Sequence, residues 1–288
     1  MIASVRAELL RLGRWPTTWV LCGTWLVLNL TFGYVFNYLS YRSDDGGGGF
    51  ANQVSDGAPA STLLAQLMPD RVPVTLVQGM PMFGGALVLI LGALAVGSGY
   101  GWGTWKTVFT TGPRRVTAMG GTLGALGIML VGLVVVSFIL DLVAAFTVAA
   151  AESQPTTWPT LADSAQGLGA GLLICAMWMA GGVMLGTLTR GPALAVGLGL
   201  VWSLVVENLL RGVAGLLGPL ETVTNVLPGT AAGSIAGAIG AVVQSDPNGT
   251  PGVTTVLGGT AAALLLGGYL LAFLAASLAL TARRDVTT

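Results

Sequence analysis

Few residues in this chain of 288 can do chemistry, and their types exclude most of it. Lys106 is the single lysine, and Thr107 follows it. A phosphate-cradling loop of the form G-x-x-x-x-G-K-[ST] needs glycines where this chain has Tyr100 and Trp105. The chain therefore does not bind ATP by that motif. Gly99-Tyr100-Gly101-Trp102-Gly103 lacks the final spacing and the preceding strand of a dinucleotide loop. With no histidine, His-based triads, His-containing zinc sites and His proton relays are excluded. Cys22 and Cys175 sit in separate apolar runs and read as inert buried thiols. No catalytic, cofactor-binding or metal-ligating set emerges, so the chain is not expected to be an enzyme by itself.

Two carboxylates fall in or beside apolar runs. Asp141 and Glu207 are expected at the outer ends of two membrane spans, whereas a proton-coupled carrier would be expected to hold carboxylates deep in its bundle. Glu207 and Arg211 are spaced i,i+4 with the acid first, the favourable order for an ion pair on a helix. They read as a structural pair or as part of an outer gate.

The elements that must position these residues are membrane helices. Apolar residues make up 53% of the chain and charged residues 8%, where a soluble domain carries about 25% charged. Apolar runs of about 18 residues or more suffice to cross about 30 Å of hydrocarbon. The runs predict an all-α integral membrane protein forming a single transmembrane domain over residues 1–288, with six spans. These run from about Thr17 to Leu39, Val74 to Ser98, Ala118 to Leu140, Gln166 to Leu188, Gly191 to Val206 and Val256 to Ala282. Pro81 predicts a kink in the second. The Met1-Ile2-Ala3-Ser4-Val5-Arg6 start does not read as a signal peptide. Heavy Ala and Gly use, with arginine replacing lysine, fits a GC-rich bacterial genome.

Orientation follows from lysine and arginine. With the N-terminus inside, nine of the twelve basic residues lie on the inner side, leaving Arg42, Arg71 and Arg211 outside. Both termini are then cytoplasmic in a bacterial plasma membrane, and the number of spans is even. Residues 207–245 must return to the side they left. Leu209 to Leu220 is too short to cross and is broken by Arg211 and Pro219, and Val226 to Gln244 is rich in Gly and Ala. The pair reads as an outer re-entrant hairpin, tolerated where protein or a wet cavity covers it; eight full spans is the alternative. The pairs Gly120/Gly124 and Gly182/Gly186 and the stripe Gly229/Gly233/Gly237 predict close helix packing. Gly46 to Gly49 reads as a flexible loop tip.

Two inner segments are more specific. Residues 1–16 form an amphipathic interfacial helix, with Ile2, Val5, Leu9 and Leu12 on one side and Arg6, Arg11 and Arg14 on the other. The loop 99–118 is basic and aromatic, and Trp102 to Thr110 predicts a short helix stopped by Gly112-Pro113. It reads as an ordinary positive-inside loop or as a docking helix. In the docking reading Trp102 and Trp105 are the apolar anchors, and Lys106, Arg114 and Arg115 meet acidic groups or lipid phosphates. No basic patch points to nucleic acid.

These segments carry a resemblance. The chain resembles the permease subunit of a type-2 ATP-binding-cassette (ABC) exporter. That family commonly begins with an interfacial helix ending in a Trp or Pro pair, here Arg14-Trp15-Pro16-Thr17-Thr18-Trp19. After its second span it has a segment similar to Gly97-Ser98-Gly99-Tyr100-Gly101-Trp102-Gly103-Thr104-Trp105-Lys106-Thr107, then a turn such as Thr111-Gly112-Pro113-Arg114-Arg115. Its last span often ends in a tail such as Arg283-Arg284-Asp285, and Leu227-Pro228 fits its outer hairpin. Gly99 stands where the family often has an acid.

The resemblance implies an exporter half. A second permease chain, the same or related, would complete the pathway across the lipid membrane. Two copies of a cytosolic ATPase would hold the ATP and Mg, and the loop 102–115 would transmit their closure. Apolar spans without deep charges favour a hydrophobic or amphiphilic cargo. A secondary transporter and a non-transporting scaffold or sensor subunit are the competing readings.

Overall fold

The computed structural model describes residues 2–43, 60–111, 114–214, 218–245 and 249–283. The Gly46–Gly49 tip, the Gly112-Pro113 break and the Arg284-Asp285 tail lie outside the described residues. The protein is an all-α membrane protein. Six helices are long and apolar enough to cross a membrane: Pro16–Arg42, Met80–Gly101, Arg115–Ala151, Leu161–Thr189, Pro192–Val213 and Gly259–Arg283. α1 (Ile2–Arg14) precedes them, and between them lie α2 (Ala60–Gln66), α3 (Val72–Gln78), α4 (Thr104–Thr111), α5 (Gly218–Asn225) and α6 (Pro228–Ile239).

Proline and capping chemistry set the helix starts. Pro16, Pro192 and Pro228 each occupy a first helical turn, where the missing N–H costs nothing. The fourth span begins at Leu161, earlier than expected, because the Thr160 hydroxyl accepts the Asp163 N–H at 3.1 Å and itself donates to the Asp163 carboxylate at 2.6 Å. The third span extends to Ala151, beyond the expected end near Leu140. Asp141 does not end it, because its Oδ1 is bonded sideways to Asn29, and the Ala-rich stretch beyond favours helix. At 37 residues this helix is about 55 Å long, well over the hydrocarbon thickness.

Three spans contain π turns. The expected kink at Pro81 takes this form: residues Met80–Gly84 are π-helical, and the Gly84 N–H donates to Gly79 O at 3.0 Å. Thr31–Val35 and Val201–Val206 are the others. The last of these carries the fifth span past its expected end at Val206 to Val213.

The second and fourth spans form the centre. Their apolar stretches are 72% and 61% buried, against 28% or less for the other four. Glycine allows their close approach: a Cβ at Gly182 would overlap Leu89 O, and one at Gly186 would lie 2.9 Å from Ala93 O. α1 lies against the third span, where Gly121 faces Ser4 and Gly124 faces Val5. Arg11 anchors α1 by donating to Ala95 O of the second span at 3.0 Å and pairing with Glu8 at 2.7 Å.

α5 has 8 residues and α6 has 12, so α6 is about 18 Å long, short of a crossing. Residues 228–236 of α6 are all buried. The Gly229/Gly233/Gly237 stripe packs as expected: Gly233 and Gly237 face the Gly252 and Thr254 backbone of the returning segment. The Thr254 N–H donates to Gly233 O at 3.3 Å, and Ser234 and Thr254 share a hydroxyl bond at 3.2 Å.

Candidate functional site

At one end of the bundle, α1, α4 and the fourth-to-fifth turn meet. Trp15 packs edge-to-face on Trp102 with ring centroids 6.0 Å apart. Gly103, at φ +68°, makes the turn into α4 that a side chain would resist. A Cβ at Gly97 would lie 2.9 Å from Pro192 Cα, so the Arg190–Pro192 turn rests on the end of the second span. Arg190 closes the fourth span in the left-handed conformation.

The loop residues divide between surface and core. Trp102 is 68% exposed, and Thr104, Lys106 and Arg114 are also exposed. Arg115 is half-buried at the start of the third span. Trp105 corrects the expectation of two outward anchors, since it is 5% exposed. Its indole N–H donates to Val96 O at 3.0 Å, and its ring lies beside Tyr100. The reason is Gly99: a Cβ there would sit 2.5 Å from Trp105 Nε1. The missing side chain is the notch that admits the indole. Burying a large apolar ring is favourable once its N–H has a partner.

Toward the opposite end, Glu207 and Arg211 are also rearranged. Among the described residues their side chains form no ion pair. Glu207 is fully buried, with Oε1 accepting from the Trp202 indole at 2.9 Å. Oε2 lies against Gly229, in the first turn of α6, where a Cβ would overlap it. Arg211 donates instead to Asn208 Oδ1 at 3.0 Å and to the Glu207 backbone oxygen at 3.4 Å. The π turn accounts for the tryptophan contact: its five-residue spacing sets Trp202 over Glu207. The positive end of the α6 dipole then faces the carboxylate.

Asp141 lies in the third span between its midpoint and its end at Ala151. It is fully buried, and Asn29 Nδ2 donates to its Oδ1 at 2.7 Å. One turn away, the Trp25 indole donates to Ser137 Oγ at 3.0 Å. Both pairs advance four residues along each helix, so the first and third spans run parallel. At the end of the same seam Glu152 accepts from Tyr38 at 2.8 Å and Tyr41 at 3.2 Å, and meets Arg42 at 3.4 Å. The Tyr38 hydroxyl foremost, then Tyr41 and Arg42, holds the Glu152 carboxyl below its ordinary range. Sequence reasoning missed Trp25, Asn29, Ser137, Tyr38, Tyr41 and Glu152. The signal available was polar residues at i,i+4 on two apolar runs.

Comparison of the chain with family models, curated proteins and solved structures found no match.

Proposed function

We propose that this chain is the transmembrane permease subunit of an ATP-driven type-2 ABC exporter. It works beside a second permease chain and two copies of a cytosolic ATPase that supplies ATP and Mg. The observation that carries the reading is the surface built by α1, Trp15, Trp102 and α4 on the end of the second span. A partner that pushes on α4 moves Trp105, and Trp105 is bonded to Val96 of that span. The central second and fourth spans are packed on backbone at Gly182 and Gly186, so the push passes on as a rigid displacement. On this reading both termini are cytoplasmic in a bacterial plasma membrane. An apolar cavity of about 400 Å³ beside Trp178, Trp202 and Phe273 suits a hydrophobic or amphiphilic cargo.

The test is co-purification with a co-expressed ABC ATPase from the same genome, followed by hydrolysis and export in proteoliposomes. The pair should hydrolyse ATP and export, and the lone chain should do neither. Robust hydrolysis by the contaminant-free lone chain overturns the reading.

The buried Asp141 and Glu207 favour a second reading, an ion-coupled carrier, since intramembrane carboxylates commonly mark ion pathways. Uptake or efflux by the lone chain, driven by a proton gradient without ATP and lost in Asp141→Asn, would decide for it.

A further inference from the structure

A cavity of about 460 Å³ opens between the first span, the start of the second and the loop after α6. That is within the range of small-molecule sites, roughly 300–1,000 Å³. It joins a narrower cleft of about 100 Å³, because Gly33, Asn37, Gln66 and Gln78 line both.

The walls differ in character. One is amide-rich: Asn29, Gln66 and Gln78 present carboxamides, and among the described residues Gln66 and Gln78 make no side-chain hydrogen bond. Asn37 Nδ2 donates to Gly33 O at 3.1 Å and to Phe32 O, within the first span's π turn, which leaves its oxygen as an acceptor. Gly33, with no side chain, lets Thr75 of α3 pack closely, since a Cβ there would lie 2.9 Å from Thr75 Cγ2 and 3.9 Å from Gln78 Nε2. The other wall is apolar. Phe32 and Phe83, both largely exposed, stack with planes 8° apart and centroids 6.5 Å apart.

Arg71 is the only charged residue among those lining the two clefts. It has no ion pair among the described residues, and its neighbour Asp70 accepts from Thr157 instead. Its Nη1 lies near Gly240 at the C-terminus of α6, 4.0 Å from where a Cβ would stand.

We propose that this cleft binds an amphiphile with an acidic head, the acid at Arg71, the hydrogen-bonding head among the amides, and the tails across Phe32 and Phe83. A guanidinium recognises phosphate and carboxylate by charge-assisted bonds. Unpaired carboxamides supply both donors and acceptors to hydroxyls or esters. The proposal does not rest on the exporter reading, because binding is read on the isolated chain.

The test uses the full chain purified in uncharged detergent. The probes are dihexanoyl phosphatidylglycerol, dihexanoyl phosphatidylcholine and inorganic phosphate, measured by calorimetric titration. The acidic lipid should bind about tenfold more tightly than the choline lipid, the scale of one charge-assisted bond. Arg71→Gln should erase that preference, and Arg283→Gln should keep it. Phe32→Ala with Phe83→Ala should weaken both lipids, and inorganic phosphate should not bind measurably. Equal binding of the two lipids, or a preference surviving in Arg71→Gln, overturns the proposal. Phosphate binding as tight as the lipid's overturns the amphiphile. If Arg71→Gln does not fold, Gln78→Leu decides: the acidic lipid must weaken several-fold, and unchanged binding overturns the site.

Discussion

The Asn29 amide donates to Asp141 Oδ1 at 2.7 Å, tying the first span to the third where both side chains are buried. Together with Trp25 and Ser137, one turn away, it makes a polar seam between two otherwise apolar helices. Lipid offers a lost partner no water to replace it, so the seam fixes register more than it adds strength.

Asn29→Ala should therefore destabilise by about 1–3 kcal/mol, the cost of leaving a buried polar group unsatisfied. Asn29→Ala combined with Asp141→Ala should cost less than the sum of the single changes. Unfolding in mixed micelles measures the cycle. Additive costs would show that the pair is not coupled.

Gly229→Ala should destabilise the wild-type chain, because the new methyl overlaps Glu207 Oε2. In a Glu207→Ala background the same change should be close to neutral. Arg211→Met should cost less than Glu207→Ala, since Arg211 is not bonded to the carboxylate. Thermal melting of the four variants ranks these costs. A Gly229→Ala penalty that persists without Glu207 would assign the crowding elsewhere.

The spans were legible because length and apolarity decide them: each of the six expected runs corresponds to an observed helix. The glycine stripe on α6 was legible for a similar reason, since small residues at four-residue spacing have one main use in lipid. What was not legible is where side chains turn. An i,i+4 rule paired Glu207 with Arg211, and both do lie in one α-helix, but the carboxylate is taken by Trp202 from the π turn before it and by the start of α6, which no local spacing rule shows. Trp105 reads as a surface anchor until Gly99, one helical turn earlier in space, is seen to make room for it. Asp141 had no visible partner because Asn29 lies 112 residues away in sequence.

The Glu152 cluster predicts a pH dependence. Its carboxyl is held below the ordinary 4.5 by Tyr38, Tyr41 and Arg42. The unfolded chain then binds the proton more readily than the folded one, so the cluster's stabilisation is present above pH 4.5 and is lost as pH falls through the lower folded value. Wild type should melt above Glu152→Gln at neutral pH, with the gap closing in acid. A gap that stays constant below pH 4.5 would mean the carboxylate charge contributes nothing.

Trp102 and Trp105 separate folding from docking. Trp105→Ala should cost about 3–5 kcal/mol by leaving a cavity at the Gly99 notch. A loss of partner binding in that variant would therefore mix two effects. Trp102 is exposed and touches Trp15, so Trp102→Ala should change the melting temperature little. The same holds for Lys106→Gln, whose side chain is on the surface. If an ATPase docks on α4, the Trp102→Ala, Lys106→Gln double variant should remain inserted at normal levels and retain the ATPase poorly. A buried interfacial tryptophan can supply 2 kcal/mol or more, so retention should fall by about tenfold or beyond. Undiminished retention and export in a stably inserted double variant would remove the exposed face of α4 as the docking surface. Gly99→Ala supplies the complementary arm: it displaces Trp105 from its notch while leaving Trp102 and Lys106 unchanged. It should keep the ATPase bound yet lower export per ATP hydrolysed, because the indole that joins α4 to Val96 no longer seats.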